Sequence, residues 1–435
     1  MKKASLTFFL FFFVCNLFGQ AWLNVGTGTD WSVFCLDSCN GTLYAGGIFG
    51  VAGGNKANNV AQWNGTSWSA LGNGLNSTVE ALIKYNGSLI AGGGFDSISG
   101  TDSSIAQWNG TFWSTIGGGM NGTVFALDNY GGNLIAAGAF TNAGGVSVNN
   151  IVQWNGTSWS ALGSGMNNSI QNVIVYNGNL VASGWFTKAG GNNASFIAQW
   201  NGSAWSPMGK GFNSWVKTLA IYNGNLIAGG SFDSADGKPA NAIAEWNGTS
   251  WSALGSSVNN TVYALTVYNG NLIVGGVFDS AGGLPVNHIA KWDGVSWSAL
   301  CSGMNGNVIC LANYNGTFFA GGYFDTAGSK YASNIAQWND TAKCIITGIY
   351  EVTSNSTQIK VYPNPSDGVF ILEQSAEKQK EEIEVYNVLG QKIFQHSFSA
   401  LRTTLDLSGQ PAGIYFYRII SEKGEAIGSG KLVIQ

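Results

Sequence analysis

The segment QWNGTSWSALG, with small changes, returns every 45 or 46 residues along most of a 435-residue chain. Its first tryptophan stands at Trp63, Trp108, Trp154, Trp200, Trp246, Trp292 and Trp338. Its second stands at Trp22, Trp68, Trp113, Trp159, Trp205, Trp251 and Trp297. A phenylalanine keeps the same step at Phe49, Phe95, Phe140, Phe186, Phe232, Phe278 and Phe324. Three series in register, each with seven members, require seven copies of one supersecondary unit. A unit this short cannot bury its apolar face alone and must stack on its neighbours.

The unit from Thr261 to Leu300 illustrates the internal pattern. TVYALTVY is β-branched and aromatic and predicts a strand. Asn269-Gly270 suits a tight hairpin, since both residues tolerate the positive φ that a type I′ turn demands. NLIVGGVF predicts a second strand, whose glycine pair leaves room for a neighbouring chain. DSAGGLPVN reads as a loop, HIAKW as a third strand and WSAL, after DGVS, as a fourth. Four antiparallel strands in roughly 46 residues match a propeller blade, and no helical period competes.

The two ends of the repeat region fit each other. The last copy stops at its third strand, IAQWND, and Trp22-Leu23-Asn24-Val25-Gly26 aligns with the missing fourth. The expected fold is therefore all-β: a seven-bladed β-propeller over residues 21–340, its N-terminal strand closing the last blade. Such closure removes sheet edges that would invite aggregation. The repeated tryptophans are expected to pack between blades, each large buried side chain contributing about 1.5–3 kcal/mol.

Composition limits what the chain does. Only 10% of residues are charged and the formal net charge is −4, which disfavours nucleic acid as a partner. Lys2 and Lys3 followed by the apolar run Leu6–Phe18 read as a signal peptide over residues 1–20. No later apolar run approaches the roughly 18 residues of a membrane span, so no transmembrane segment is expected. Removing the signal leaves Cys35, Cys39, Cys301, Cys310 and Cys344. No CxxC spacing offers a zinc site, and neither metal nor cofactor is expected. Cys35 and Cys310 hold equivalent places in the first and last blades and are expected as buried free thiols. Cys301 and Cys344 are a candidate disulfide.

The pattern Y-N-G-N-L-I-A-G-G-x-F … Q-W-N-G-T-S-W resembles the kelch repeat, with its glycine pair ending the second strand and its aromatic-turn-tryptophan hairpin. The run A-G-G … I-A-Q-W-N-G … W-S-A-L-G-x-G-M-N resembles the fungal cortical polarity marker repeats still more closely. Both resemblances imply a propeller and leave function open, because propellers host binders and enzymes alike.

After an expected linker at 341–356 the chemistry changes. Glu381, Glu382, Glu384 and both arginines, Arg402 and Arg418, fall in residues 357–435. Tyr362-Pro363-Asn364-Pro365, then Gly368, Val385-Tyr386-Asn387-Val388-Leu389-Gly390-Gln391, and Ala412-Gly413-Ile414-Tyr415 resemble the type A sorting domain of type IX secretion. That resemblance implies an immunoglobulin-like β-sandwich, a Bacteroidota-type host and the type IX machinery as partner. It also implies release or attachment at the outer surface by way of the periplasm. Alternating strands such as EIEVYNV and GIYFYRI suit a sandwich independently.

The propeller region holds thirteen carboxylates, eight lysines, no arginine and a single histidine, His288. No catalytic constellation is visible, and His288 is expected in a structural place. Asp96, Asp233, Asp279 and Asp325 recur at one repeat position, where an Asx turn capping nearby amides is expected. The dipeptides they open also resemble a Bacteroidota O-glycosylation pattern, with Ser97, Ser234, Ser280 and Thr326 as acceptors.

Departures from the repeat carry the functional expectation. Trp31, Trp185 and Trp215 belong to neither tryptophan series. They stand where first strands begin or a second strand ends, positions that share one face of an antiparallel blade. One early first-strand position varies freely: Phe34, Glu80, Phe125, Gln171, Lys217, Tyr263 and Ile309. First strands line a propeller's channel, so these residues are expected at its rim. Exposed aromatics beside polar groups suit a glycan or peptide ligand, although extra inter-blade packing would equally account for them. The expected function is a secreted or cell-surface, adhesin-like binding protein, monomeric. A propeller-based carbohydrate-active lyase or hydrolase and a structural surface-coat protein are the alternatives.

Overall fold

The computed structural model describes residues 22–96, 103–328, 330–340, 359–374, 381–387, 391–421 and 426–435. The signal segment and the linker expected at 341–356 lie outside them. The chain divides into two compact units, Met1–Ile345 and Ile346–Gln435.

In the first unit, seven four-stranded antiparallel sheets form the blades. Blade 5 is representative, with Val216–Tyr222, Asn225–Gly230, Ile243–Trp246 and Trp251–Ala253 side by side in chain order. The hairpin between its first two strands turns at Asn223 and Gly224, both at positive φ. The first strands are Val33–Cys39, Val79–Tyr85, Thr123–Tyr130, Ile170–Tyr176, Val216–Tyr222, Val262–Tyr268 and Asn307–Tyr314. Each packs against the next, and the last packs against the first, so the ring is closed.

Closure is made by the N-terminus. Trp22–Asn24 pairs antiparallel with Ile335–Trp338, placing Trp22 opposite Trp338 as the outermost strand of blade 7. Trp22 is buried, meets Trp338 edge-on at 4.9 Å, and donates its indole N–H to the Leu300 carbonyl of blade 6 at 3.1 Å. The same inter-blade bond joins Trp68 to Val25, Trp113 to Leu71, Trp205 to Leu162 and Trp251 to Met208. In these five the tryptophan is a packing device that also satisfies its own polar tip, whereas the indole N–H groups of Trp159 and Trp297 are buried without a partner.

The glycine pair that ends the second strand in five of the seven blades works on two neighbours, with Ala137-Gly138 and Ser183-Gly184 in its place in blades 3 and 4. A side chain on Gly229 would lie 2.5 Å from Val262 of the next blade, so glycine sets how closely the blades approach. A side chain on Gly230 would lie 2.3 Å from the Trp215 carbonyl. That carbonyl is in place because the facing first strand carries a β-bulge between Val216 and Thr218.

Two details of the sequence reading are corrected. The DSAGGLPVN segment is more than a loop: Ser280–Ala281 and Leu284–Pro285 form a two-residue ladder, and Val258 bridges to Ala281. His288 precedes its strand, which begins at Ile289.

The second unit packs two sheets face to face. One orders Ile359–Tyr362, Val369–Gln374 and Arg402–Asp406; the other orders Lys392–Phe398, Glu381–Tyr386, Gly413–Ile420 and Ala426–Ile434. Phe370, Leu372 and Leu405 of the first meet Ile383, Val385, Ile419 and Leu432 of the second in one buried core. This is the expected sandwich.

Candidate ligand-binding site

The seven variable first-strand residues have a common structural origin. Phe34, Glu80, Phe125, Gln171, Lys217, Tyr263 and Ile309 are each the extra residue of a β-bulge. A bulge frees one residue from the ladder and re-aims it. All seven line one cavity of about 240 Å³ at the channel, with six leucines, among them Leu36 and Leu219, further along the same strands. All seven are half-buried.

The polar members are unevenly placed. Lys217 Nζ donates to Gln171 Oε1 at 2.8 Å across the junction of blades 4 and 5. Burial lowers the Lys217 pKa from the usual lysine value, and the Glu80 charge opposes that shift. Burial likewise raises Glu80, opposed by Lys217. The two charges therefore sense each other across the cavity. The three ion pairs of the described residues all lie in the sandwich, so Lys217 and Glu80 do not form one.

Outside the cavity, the odd tryptophans do share a face. Trp185 follows the second strand of blade 4, Asn179–Gly184, and Trp215 precedes the first strand of blade 5, Val216–Tyr222. Their rings stack at 5.0 Å and 9°. Trp215 also approaches Tyr263 of the bulge ring at 6.4 Å, which links the stack to the channel mouth. Trp31 stacks on Tyr323 at 6.3 Å and 24° across the seam of blades 1 and 7. Trp31 and Tyr323 are each 57% exposed and Trp185 45%, so both stacks offer ring surface to solvent. Tyr323 was missed in the sequence, although it occupies the repeat column of Trp185 and was open to discovery there.

Among the described residues, Asp233, Asp279 and Asp325 do not form the expected Asx turns, and the residues that Asp96 would cap lie outside them. An asparagine twenty residues upstream caps the loop instead. Asn259 Oδ1 accepts the backbone N–H groups of Asp279 and Ser280, both at 3.1 Å, while its Nδ2 donates to Asp279 Oδ1 at 2.5 Å. Asn76 with Asp96, Asn213 with Asp233 and Asn305 with Asp325 repeat the contact. In blades 3 and 4 Thr141 and Thr187 take the aspartate's place. The carboxylate is thus an acceptor for the cap rather than the cap itself. Ser234, Ser280 and Thr326 follow these aspartates with half-exposed side chains, and Ser97 lies outside the described residues.

His288 sits at φ +69, in a column where Asn150, Ala242 and Asn334 also take positive φ. Its backbone bonds to Phe278 and from Gly276, while its imidazole Nδ1 is buried without a partner. Cys35 and Cys310 are free thiols, each facing a valine carbonyl of the next blade. Burial raises both pKa values well above the ordinary thiol. Cys301 is disulfide-bonded, and Cys344 lies outside the described residues. No cluster of three or more potential metal ligands occurs among the described residues.

The sandwich motif is largely structural. Asn364 Oδ1 accepts from the Val433 N–H at 2.9 Å and its Nδ2 donates to the Lys431 carbonyl, clamping the last strand. Pro363 and Pro365, either side of it, follow cis peptide bonds. Tyr362 donates to Glu373. Gly368 has φ +105 and would place a side chain 2.6 Å from Ser408 Cα, so it must be glycine. Gly413 has no such crowding, and Gly390 lies outside the described residues.

Seven blades around a lined channel, followed by a separate two-sheet sandwich, define a two-domain β-propeller protein. Residues 360–435 match the secretion system C-terminal sorting domain family, which marks proteins exported by type IX secretion to the cell surface or beyond it. No curated protein matches the chain in sequence. Among solved structures it is similar to the extracellular domain of the one-component system BT4673 from B. thetaiotaomicron, at TM-score 0.48 and 13% identity over 95% of this chain. The chain spans 59% of that protein's length. It is similar also to the computationally designed protein Ika8, at TM-score 0.44 and 15% identity over 74% of this chain and 99% of that one. A third similarity is to PorZ, a surface component of the type IX secretion system of Porphyromonas gingivalis. Its TM-score is 0.35 and its identity 14%, over 92% of this chain and 65% of that one. No functional argument rests on these three.

Proposed function

We propose that this exported propeller is a surface or released glycan-binding protein, and that its site is the aromatic face of blades 4 to 6. The observation that carries the reading is the Trp185–Trp215 stack, in which Trp185 is exposed and half-buried Trp215 leads through Tyr263 to the cavity. Flat, rigid indoles present apolar area to the C–H face of a sugar at little entropic cost, while nearby polar groups fix orientation. A glycan and peptide array probed with the mature chain tests this: glycan spots that vanish with Trp185→Ala support it, and peptide spots alone count against it.

An enzymatic reading has one observation in its favour. Glu80 is raised and Lys217 lowered in the same cavity, a pattern that active sites share. Turnover of a bound glycan that Glu80→Gln abolishes would establish that alternative.

A further inference from the structure

The bulge ring gives each blade one side chain with which to address the cavity, and the seven choices are not equivalent. Five are neutral; Lys217 is the one cation and Glu80 the one anion. The apolar members Phe34 and Ile309 stand in blades 1 and 7, beside the Trp31–Tyr323 stack. Gln171, Lys217 and Tyr263 stand in blades 4, 5 and 6, beside the Trp185–Trp215 stack. The cation therefore accompanies one aromatic platform and not the other. Trp215 also stands immediately before the strand that carries Lys217, with Val216 between them packed in the core.

We infer that the blade 4–6 site takes an anionic saccharide, one sugar ring lying on Trp215 and its acidic substituent, a carboxylate or a sulfate ester, meeting Lys217 Nζ. This rests on the glycan-binding reading above and specifies its ligand class.

Lys217 has donors to spare. An ammonium carries three N–H groups, and one is committed to Gln171 Oε1 at 2.8 Å. Its ammonium is half-buried at the cavity and has no carboxylate at ion-pair distance among the described residues. A partly desolvated cation without a counter-ion is costly, and a ligand anion relieves that cost while gaining a charge-assisted hydrogen bond. Gln171 holds the ammonium toward blade 4, on the side where Trp185 and Trp215 stack. Glu80, in blade 2, lies beyond ion-pair distance of Lys217, and burial raises its pKa against the opposing Lys217 charge.

The test is calorimetry of the mature chain with three probes: a galacturonate hexasaccharide, a sulfated galactan oligosaccharide of equal length, and the methyl-esterified galacturonate as neutral control. Wild type is expected to bind at least one anionic probe about tenfold more tightly than the ester, a preference that added salt erodes. Which anionic probe binds distinguishes carboxylate from sulfate. Lys217→Met is expected to remove the preference and keep ester binding, whereas Lys217→Arg retains the preference and controls for folding. Equal affinity of wild type for acid and ester, or a preference surviving in Lys217→Met, overturns the inference while leaving the glycan reading intact. Absence of binding to every saccharide, here and on the array, overturns both.

Discussion

Trp185 and Trp215 come from different blades, yet their rings lie 5.0 Å apart and 9° from parallel. Neither belongs to the repeat's own tryptophan series, and each is placed by a strand end on the same face of the disc. Where the repeat packs its tryptophans between blades, this pair keeps ring surface in solvent. Trp215 then extends the surface to Tyr263 and the channel. The functional account grows from that contact.

Ring closure is the first point open to test. Trp22 is 2% exposed and bonds to both blade 7 and blade 6. Trp22→Ala in the mature chain is expected to destabilise the propeller by about 3–5 kcal/mol, through a cavity and a lost strand anchor. Chemical denaturation followed by tryptophan fluorescence measures it. A change below about 0.5 kcal/mol would mean that the N-terminal strand does not hold the ring.

Two glycines of the sorting domain should respond differently. Gly368→Ala forces a side chain onto Ser408 at a positive φ and is expected to lower the sandwich's stability by about 1–3 kcal/mol. Gly413→Ala meets open space and is expected within about 0.5 kcal/mol of wild type. Amide exchange over the strand Gly413–Ile420 compares the two variants directly.

Thiol labelling reads the cysteine environments. Desolvation raises Cys35 and Cys310 well above the ordinary thiol, so a thiol reagent at mildly alkaline pH is expected to spare buried Cys310 until unfolding and to reach half-buried Cys35 only slowly. Cys39 is half-exposed and free, and is expected to label first, though slowly, since burial raises it also. Rapid native labelling of Cys310 would contradict the seam between blades 7 and 1.

Acid should loosen the sandwich at a defined point. The Tyr386 hydroxyl, Lys392 and Arg418 hold Glu384 down to about 2. A carboxylate depressed on folding contributes stability above its ordinary pKa of 4.5 and loses it as pH falls toward the folded value. Wild-type exchange at the strand Glu381–Tyr386 is expected to quicken between those limits, and Glu384→Gln to flatten the dependence. Lys392 and Arg418 are about half exposed, so screening keeps the effect modest.

Much of the architecture was legible because a repeat multiplies its own signal. Six Asn-Gly turns, five glycine pairs and the recurring tryptophans agree on strand order, and the truncated last copy pointed to Trp22. The channel ring was legible as a column of unlike residues, from Phe34 to Ile309. The bulges that create it were not, because the extra residue belongs to the repeat and breaks no spacing. The second glycine, such as Gly230, was the available trace of them. The aspartate loops were misjudged because their partner, such as Asn259 for Asp279, lies twenty residues away on an earlier turn. Local reading favours local caps. Tyr323 escaped because only tryptophans were compared, although the aromatic function and not the indole defines the stack.

The most direct test compares the two stacks. Titration calorimetry of the mature chain with the best glycan from the array is run on wild type, Trp215→Ala and Trp31→Ala. The account predicts that Trp215→Ala weakens binding about 30-fold, as loss of a central aromatic anchor does, while Trp31→Ala stays within about twofold. Unchanged affinity in a folded Trp215→Ala variant would contradict it.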